Sequence, residues 1–314
     1  MKKITFVLLG FLSFHSLAQS QIGNADMEQW DNVGAPNEEP RNWNSFKTGT
    51  GPFSGFANKQ VERSSNIRAG ATGMYCARIW STSVLGIVAN GNMTCGRINM
   101  GSTTPANAAN YNYSQIADTL YSEACPLVPD SLVFWAKYTP TGAGQNARVH
   151  TLVHDNYETR DPIDANSQSH ILATAELNYP STNGEWVRFS VPFVPTANTG
   201  LIPAFILTTF TTNSTPGGGA NNDEVLIDDI SLVYNSGAGI HQNSLSDFGV
   251  SYANGALHFT TSLEGNVKVV AMNGAVVYDG NLSPTVTVTL GTGIYFTQFT
   301  DKKGHSIVNK FAVN

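Results

Sequence analysis

NNDEVLIDDISLVY, residues 221–234, places four carboxylates, Asp223, Glu224, Asp228 and Asp229, in and just before a β-branched apolar run. Successive side chains of a strand point to opposite faces. Strict alternation therefore groups Leu226, Asp228, Ile230, Leu232 and Tyr234 against Val225, Ile227, Asp229, Ser231 and Val233. An aspartate interrupts whichever face is buried, and a lone buried carboxylate is costly unless hydrogen-bonded or bound to a cation. Neighbouring acids on a strand diverge, so Asp228 and Asp229 are not the converging pair, roughly 5–10 Å apart, that glycoside hydrolysis requires. The run reads as architecture: a strand with a structural aspartate.

The same strand character extends along the chain. Runs at residues 74–81, 92–99, 131–138, 147–154, 171–177, 186–194, 203–212 and 225–234 are rich in Val, Ile, Thr and aromatics, with Gly, Pro and Asn clusters between them. That profile predicts an all-β jelly-roll sandwich over residues 19–234. YNYSQIADTLYSEA, residues 111–124, is the one stretch where a short helix fits. The small, polar NSGAGIHQNS, residues 235–244, reads as a linker. Seven shorter runs follow within residues 245–314, with an Asn273-Gly274 hairpin turn and a second turn at residues 301–304. They predict a small Ig-like β-sandwich.

The formal net charge of −6 and the lack of a basic stripe argue against nucleic-acid binding and leave neutral polyols and glycans as compatible partners. Residues 1–18 have the form of a secretory signal: Lys2 and Lys3, an apolar stretch from Ile4 to Phe14, and Ser16-Leu17-Ala18 before the cleavage point. That stretch is too short to span a membrane and no later one qualifies, so a secreted, extracellular or cell-surface location is expected. An oxidising compartment permits one disulfide among Cys76, Cys95 and Cys125, with Cys76 and Cys95, on successive strands, the favoured pair.

Residues 245–314 resemble the C-terminal sorting domain of the type IX secretion system of Bacteroidetes, through NVKVVAMNGAVVYDG and VTLGTGIYFTQFTDKKGHSIVNKFAVN. The resemblance implies the type IX machinery as a partner, passage across the outer membrane, and attachment to the surface or release. Residues 22–234 resemble the carbohydrate metabolism domain family of secreted jelly-roll proteins from the same phylum. IGNADMEQWDN, GATGMYCARIW, PDSLVFWAKYTP, NGEWVRFSVPF and DEVLIDDISLVY carry that likeness, with Met27 in place of a customary Phe. It makes residues 225–234 the closing strand of a jelly roll. It also implies a structural calcium shared by Glu28 and Asp228, with backbone carbonyls or water completing six to eight oxygens.

Glycan binding needs aromatic faces and hydroxyl partners. Trp80 and Arg78 share a strand face, Tyr111 and Tyr113 lie among asparagines, and Tyr157 stands beside Asn156; these five are the candidate carbohydrate-binding residues. Trp135 and Trp186 match landmarks that are normally packed. His150 and His154 sit about 13 Å apart on a strand, too far to chelate one ion. Neither a G-x-S-x-G nucleophile elbow nor a phosphate-binding loop leading into a helix occurs. The expected function is non-catalytic carbohydrate binding at the cell surface. A glycoside hydrolase or lyase acting on extracellular polysaccharide, and a structural adhesin or protein-binding module, are the alternatives.

Overall fold

The computed structural model describes residues 19–71, 73–84, 86–234, 248–253, 256–261, 264–282, 285–302 and 306–313. The expected signal segment, residues 1–18, and linker, residues 235–244, lie outside the described residues. The chain divides between Tyr234 and Asn235 into two compact units.

The first unit is a sandwich of two antiparallel sheets. One has five strands in the order Val187–Pro192, Ser131–Thr139, Glu224–Val233, Cys76–Trp80 and Val61–Ser64. The other runs Glu123–Ala124, Phe205–Thr211, Asn146–His154, Ile171–Pro180 and Val194–Pro195, with Asn92–Thr94 also pairing on Phe205–Thr211. Alternate residues of both sheets meet in one core. Ala136, Phe134 and Leu132 come from one layer and Val149, Tyr179 and Phe210 from the other. Phe134 packs edge-on to Phe210 at 5.2 Å between ring centroids and against Tyr179 at 5.9 Å.

The closing strand departs from strict alternation, and the departure explains its two aspartates. Val225, Ile227, Ile230 and Leu232 all lie in the core, which a two-residue period does not allow. Opposite Ser131–Thr139, Trp135 pairs with Asp228 while Val133 pairs with Ser231, so the strand carries one extra residue at this point. Asp229 takes φ +45°, a left-handed conformation that Asp tolerates better than branched residues. Its N–H donates to Asp228 Oδ1 at 2.8 Å. The bulge switches the buried face from odd to even positions and turns Asp229 outward, while Asp228 stays buried outside the apolar cluster. Asp229 Oδ2 is gripped by Arg68, whose Nε lies at 2.9 Å and whose guanidinium sits 4.6 Å above the Trp135 ring.

Two other expectations are corrected. Residues 111–124 contain no helix: Asn110–Tyr113 and Glu123–Ala124 are strands, and the chain between them turns through Asp118 N–H to Gln115 O and Tyr121 N–H to Asp118 O. No disulfide joins Cys76 to Cys95, because both thiols, like Cys125, are buried and free, with the first two in opposite sheets.

The second unit contains the seven strands read from the sequence. They form one sheet of Phe248–Ala253, Ala256–Thr261 and Thr285–Thr289. The other holds Val276–Leu282, Gly265–Ala271, Gly293–Asp301 and Ser306–Val313. Leu257, Phe259, Val267, Val269 and Phe299 form its separate core. Gly274, at φ +86°, closes the expected hairpin with its N–H on Ala271 O at 2.8 Å.

The bulge makes a specific stability prediction. Asp229→Gly and Asp229→Val both delete the Arg68 pair, but only valine is strained at positive φ. Denaturant unfolding should find the valine variant less stable than the glycine variant by about 1–2 kcal/mol; equal stabilities would contradict the bulge.

Candidate functional site

The site is built on the outer face of the larger sheet. Along Asn146–His154, Ala147, Val149 and Val153 point into the core, which turns Arg148, His150 and His154 outward. A three-stranded sheet of Arg97–Met100, Asn110–Tyr113 and Arg160–Asp161 lies over part of this face. Polar contacts dock it. Asp161 Oδ1 meets His150 Nδ1 at 2.8 Å, and both Asp161 oxygens accept from Arg148 at 3.3 Å. Ser114 Oγ meets His154 Nε2 at 2.8 Å, and Asn92 Nδ2 donates to Asn112 Oδ1 at 3.0 Å. Burial alone would raise the Asp161 pKa, but the His150 and Arg148 contacts outweigh it and hold the carboxyl below its ordinary range.

Beside this overlying sheet a cleft of about 320 Å³ opens. Asn92, Asn112, Arg148 and Thr211 supply its polar floor, and Phe46, Phe53, Phe56, Ile98 and Met100 its apolar wall. Phe53 is fixed by its N–H on Met100 O at 3.1 Å, whereas Phe56 is 60% exposed. Many of the surrounding amides hold the walls themselves. Gln60 Nε2 bridges Trp80 O and Ala89 O at 3.0 and 2.9 Å. Asn110 accepts from Ser102 N–H at 2.9 Å and donates to Thr104 O at 2.8 Å. Asn90 and Asn92 line the cleft, but their Oδ1 atoms are buried out of solvent reach and have no hydrogen-bond partner among the described residues. Each such orphan costs about 1–3 kcal/mol.

Of the five residues singled out for carbohydrate, the structure brings Tyr111 to the cleft. Arg160 covers one face of the Tyr111 ring at 4.1 Å, and Tyr113 stands edge-on at 5.7 Å, outside the lining. Tyr157 stacks on His170 at 3.9 Å, also away from the cleft. Trp80 and Arg78 belong to the five-stranded sheet, where the guanidinium lies 4.8 Å over the indole and binds Glu62 and Glu224. Their stacking plane and donor are occupied by each other and by these acids. Phe53, Phe56, Asn92, Asn112 and Arg148, which the sequence reading did not single out, also line the cleft; strand parity could have flagged Arg148 as outward-facing, but its covering sheet is a long-range contact.

Glu28 Oε1 accepts the N–H groups of Met74 and Tyr75, each at 2.8 Å. Gly73 permits this wrap, since a Cβ there would stand 2.2 Å from the same oxygen. Asp228 is buried, and burial first, then the neighbouring Asp229 and Glu28 charges, pushes its pKa up to about 7. Each acid keeps one carboxylate oxygen outside these hydrogen bonds. Carboxylate oxygens are the donor type a hard divalent cation takes. No three His, Cys, Asp or Glu side chains converge among the described residues, so backbone carbonyls or water would have to complete its shell.

No family model matches the chain, and no curated protein matches it. Among solved structures, a protein provisionally described as a glycoside hydrolase from Bacteroides vulgatus is similar over 68% of this chain and 98% of its own, at 17% identity and TM-score 0.50. A similarly described protein from Bacteroides thetaiotaomicron covers 70% of this chain and 72% of its own, at 16% identity and TM-score 0.49. A family 11 carbohydrate-binding module from Clostridium thermocellum, solved with a β-1,3-1,4-mixed-linked tetrasaccharide, covers 69% and 97%, at 10% identity and TM-score 0.30. At these identities the likeness shows the fold alone, a β-sandwich. Among the described residues no helix is long and apolar enough to cross a membrane.

His154 gives the docked sheet a pH signature. Its Nδ1 donates to Asp155 O at 2.9 Å, leaving Nε2 to accept from Ser114, and burial pushes its pKa down to about 4 from 6.5. The folded state therefore binds fewer protons than the unfolded state between these values. His154 stabilisation is fully present above pH 6.5 and is lost as pH falls toward 4. Relative to His154→Gln, the native chain should lose about 3 kcal/mol across that window in urea titrations; parallel pH profiles would contradict this.

Proposed function

We propose that the chain is an extracellular, non-catalytic carbohydrate-binding protein whose ligand occupies the cleft on the outer face of the six-stranded sheet. The observation that carries this reading is the combination of asparagine and threonine side chains with aromatic wall residues in one concave site. Sugars have hydroxyl donors for the former and C–H faces for the latter. Asp161 is the one carboxylate among the described lining residues, and Arg148 and His150 already engage it. Two-carboxylate hydrolysis needs a second acid across the cleft, so this arrangement supports binding over the hydrolase alternative. The concavity likewise supports a glycan ligand over a flat adhesive face.

The secretory signal of residues 1–18 and the sorting-domain resemblance of residues 245–314 support export by the type IX machinery and a cell-surface or released product. Calcium at Glu28 and Asp228 would act as a structural brace between the opening segment and the closing strand.

A glycan array probed with the purified chain should return binders, and Phe53→Ala should weaken the best of them about tenfold, equivalent to about 1.4 kcal/mol. Trp80→Ala should leave that affinity unchanged; the reverse pattern would move the site to the other sheet. Chelator should lower the melting temperature and added calcium restore it, whereas identical melting curves would remove calcium from the account. Deleting residues 245–314 in a type IX-competent bacterium should retain the product inside the outer membrane, and continued surface delivery would contradict the sorting role.

A further inference from the structure

We infer that Asp223 and Asn90, on either side of the Gly-rich loop at Gly219, hold a divalent cation, calcium by the chemistry of its donors. The site is additional to the one at Glu28 and Asp228, since five residues of strand separate Asp223 from Asp228 by about 17 Å. It does not depend on the cleft being a glycan site.

The charge of Asp223 comes first. The residue is 0% exposed, and its oxygens accept the N–H groups of Thr141 at 2.6 Å and Ala220 at 2.7 Å. Those groups supply hydrogen bonds but no countercharge, and no Lys, Arg or His pairs with Asp223 among the described residues. A buried carboxylate without a counterion is costly.

The second observation is an amide oxygen turned to the same place. Asn90 Nδ2 donates to Thr215 O at 2.8 Å and to Asn213 O at 3.3 Å, which fixes the amide with its oxygen on the other side. That Oδ1 is buried and unpartnered. One point, where a Gly219 side chain would begin, lies 2.8 Å from Asp223 Oδ2 and 3.3 Å from Asn90 Oδ1. Water could satisfy the amide oxygen but brings no charge to the carboxylate, whereas a cation serves both. Tyr138 adds a third group. It is 0% exposed with an unpartnered hydroxyl, and burial first, then the Asp223 charge, raises its pKa. The hydroxyl therefore lies within the field of this carboxylate and offers a partner to water in the ion's shell.

Glycine at 219 supplies space. Its φ is not in the left-handed region, so conformational freedom does not require it, whereas a Cβ there would crowd both oxygens. Calcium takes six to eight oxygens in flexible geometry, so backbone carbonyls and water complete the shell, and a single carboxylate implies an affinity of about 0.1–1 mM. Asn90, Asn213 and Gly217 line the cleft, so the ion braces one of its sides.

Calcium calorimetry on the full chain carrying Asp228→Asn, which removes the other candidate site, tests this. That chain should bind one calcium, and adding Gly219→Ala should weaken binding at least tenfold. No binding by the Asp228→Asn chain, or an unchanged affinity with Gly219→Ala, would overturn the site. A second readout covers a Gly219→Ala chain that fails to fold. Terbium emission excited through tyrosine should fall at least twofold when Tyr138→Phe, which removes only an unpartnered hydroxyl, is added to Asp228→Asn. Unchanged emission would place the ion elsewhere and overturn the assignment.

Discussion

The buried carboxylate of Asp161 is the interaction on which the site depends. It is 2% exposed, and His150 and Arg148 from the strand beneath hold it. A buried charge of this kind is tolerable only while its partners stay in place, and removing one partner typically costs about 3–5 kcal/mol. The contact therefore fixes the three-stranded sheet at a set position over the larger sheet. The overlying sheet converts an open, outward-facing layer into a bounded cleft. It also neutralises Arg148, so the floor presents amides and hydroxyls instead of net charge.

The two outer faces of the sandwich have consequently diverged in chemistry. The five-stranded sheet carries a surface of ion pairs and cation–aromatic contacts: Arg78 with Glu62 and Glu224 beside Trp80, and Arg68 with Asp229 over Trp135. Its charged groups satisfy one another. The six-stranded face instead presents asparagine side chains beside phenylalanine rings. Polar side chains beside apolar surface in a concavity are the property expected of a site that receives a ligand.

Much of the fold was legible because strand alternation and Gly, Pro and Asn punctuation are local signals, as the Asn273-Gly274 hairpin illustrates. The bulge at Asp229 was not, since one inserted residue reverses the parity on which the reading relied; only the core placement of Ile227 together with Ile230 reveals it. The site was less legible than the fold. Tyr111 lines the cleft, and the clustering of aromatic and amide residues in its own segment is what marked it in the sequence. Phe53, Asn92 and Arg148 converge through contacts between distant parts of the chain; strand parity marks Arg148 as outward-facing but says nothing of the sheet that covers it. The ion pairs of Arg78 were not legible for a related reason: the acids that engage it come from residues 62 and 224.

The central claim is that recognition occurs in this cleft. A crystal structure of the chain with a bound oligosaccharide tests it most directly. The account predicts sugar density over Asn92 and Asn112, with a ring or its substituent against Phe53. Density on the opposite sheet around Trp80, with the cleft filled only by water, would contradict it.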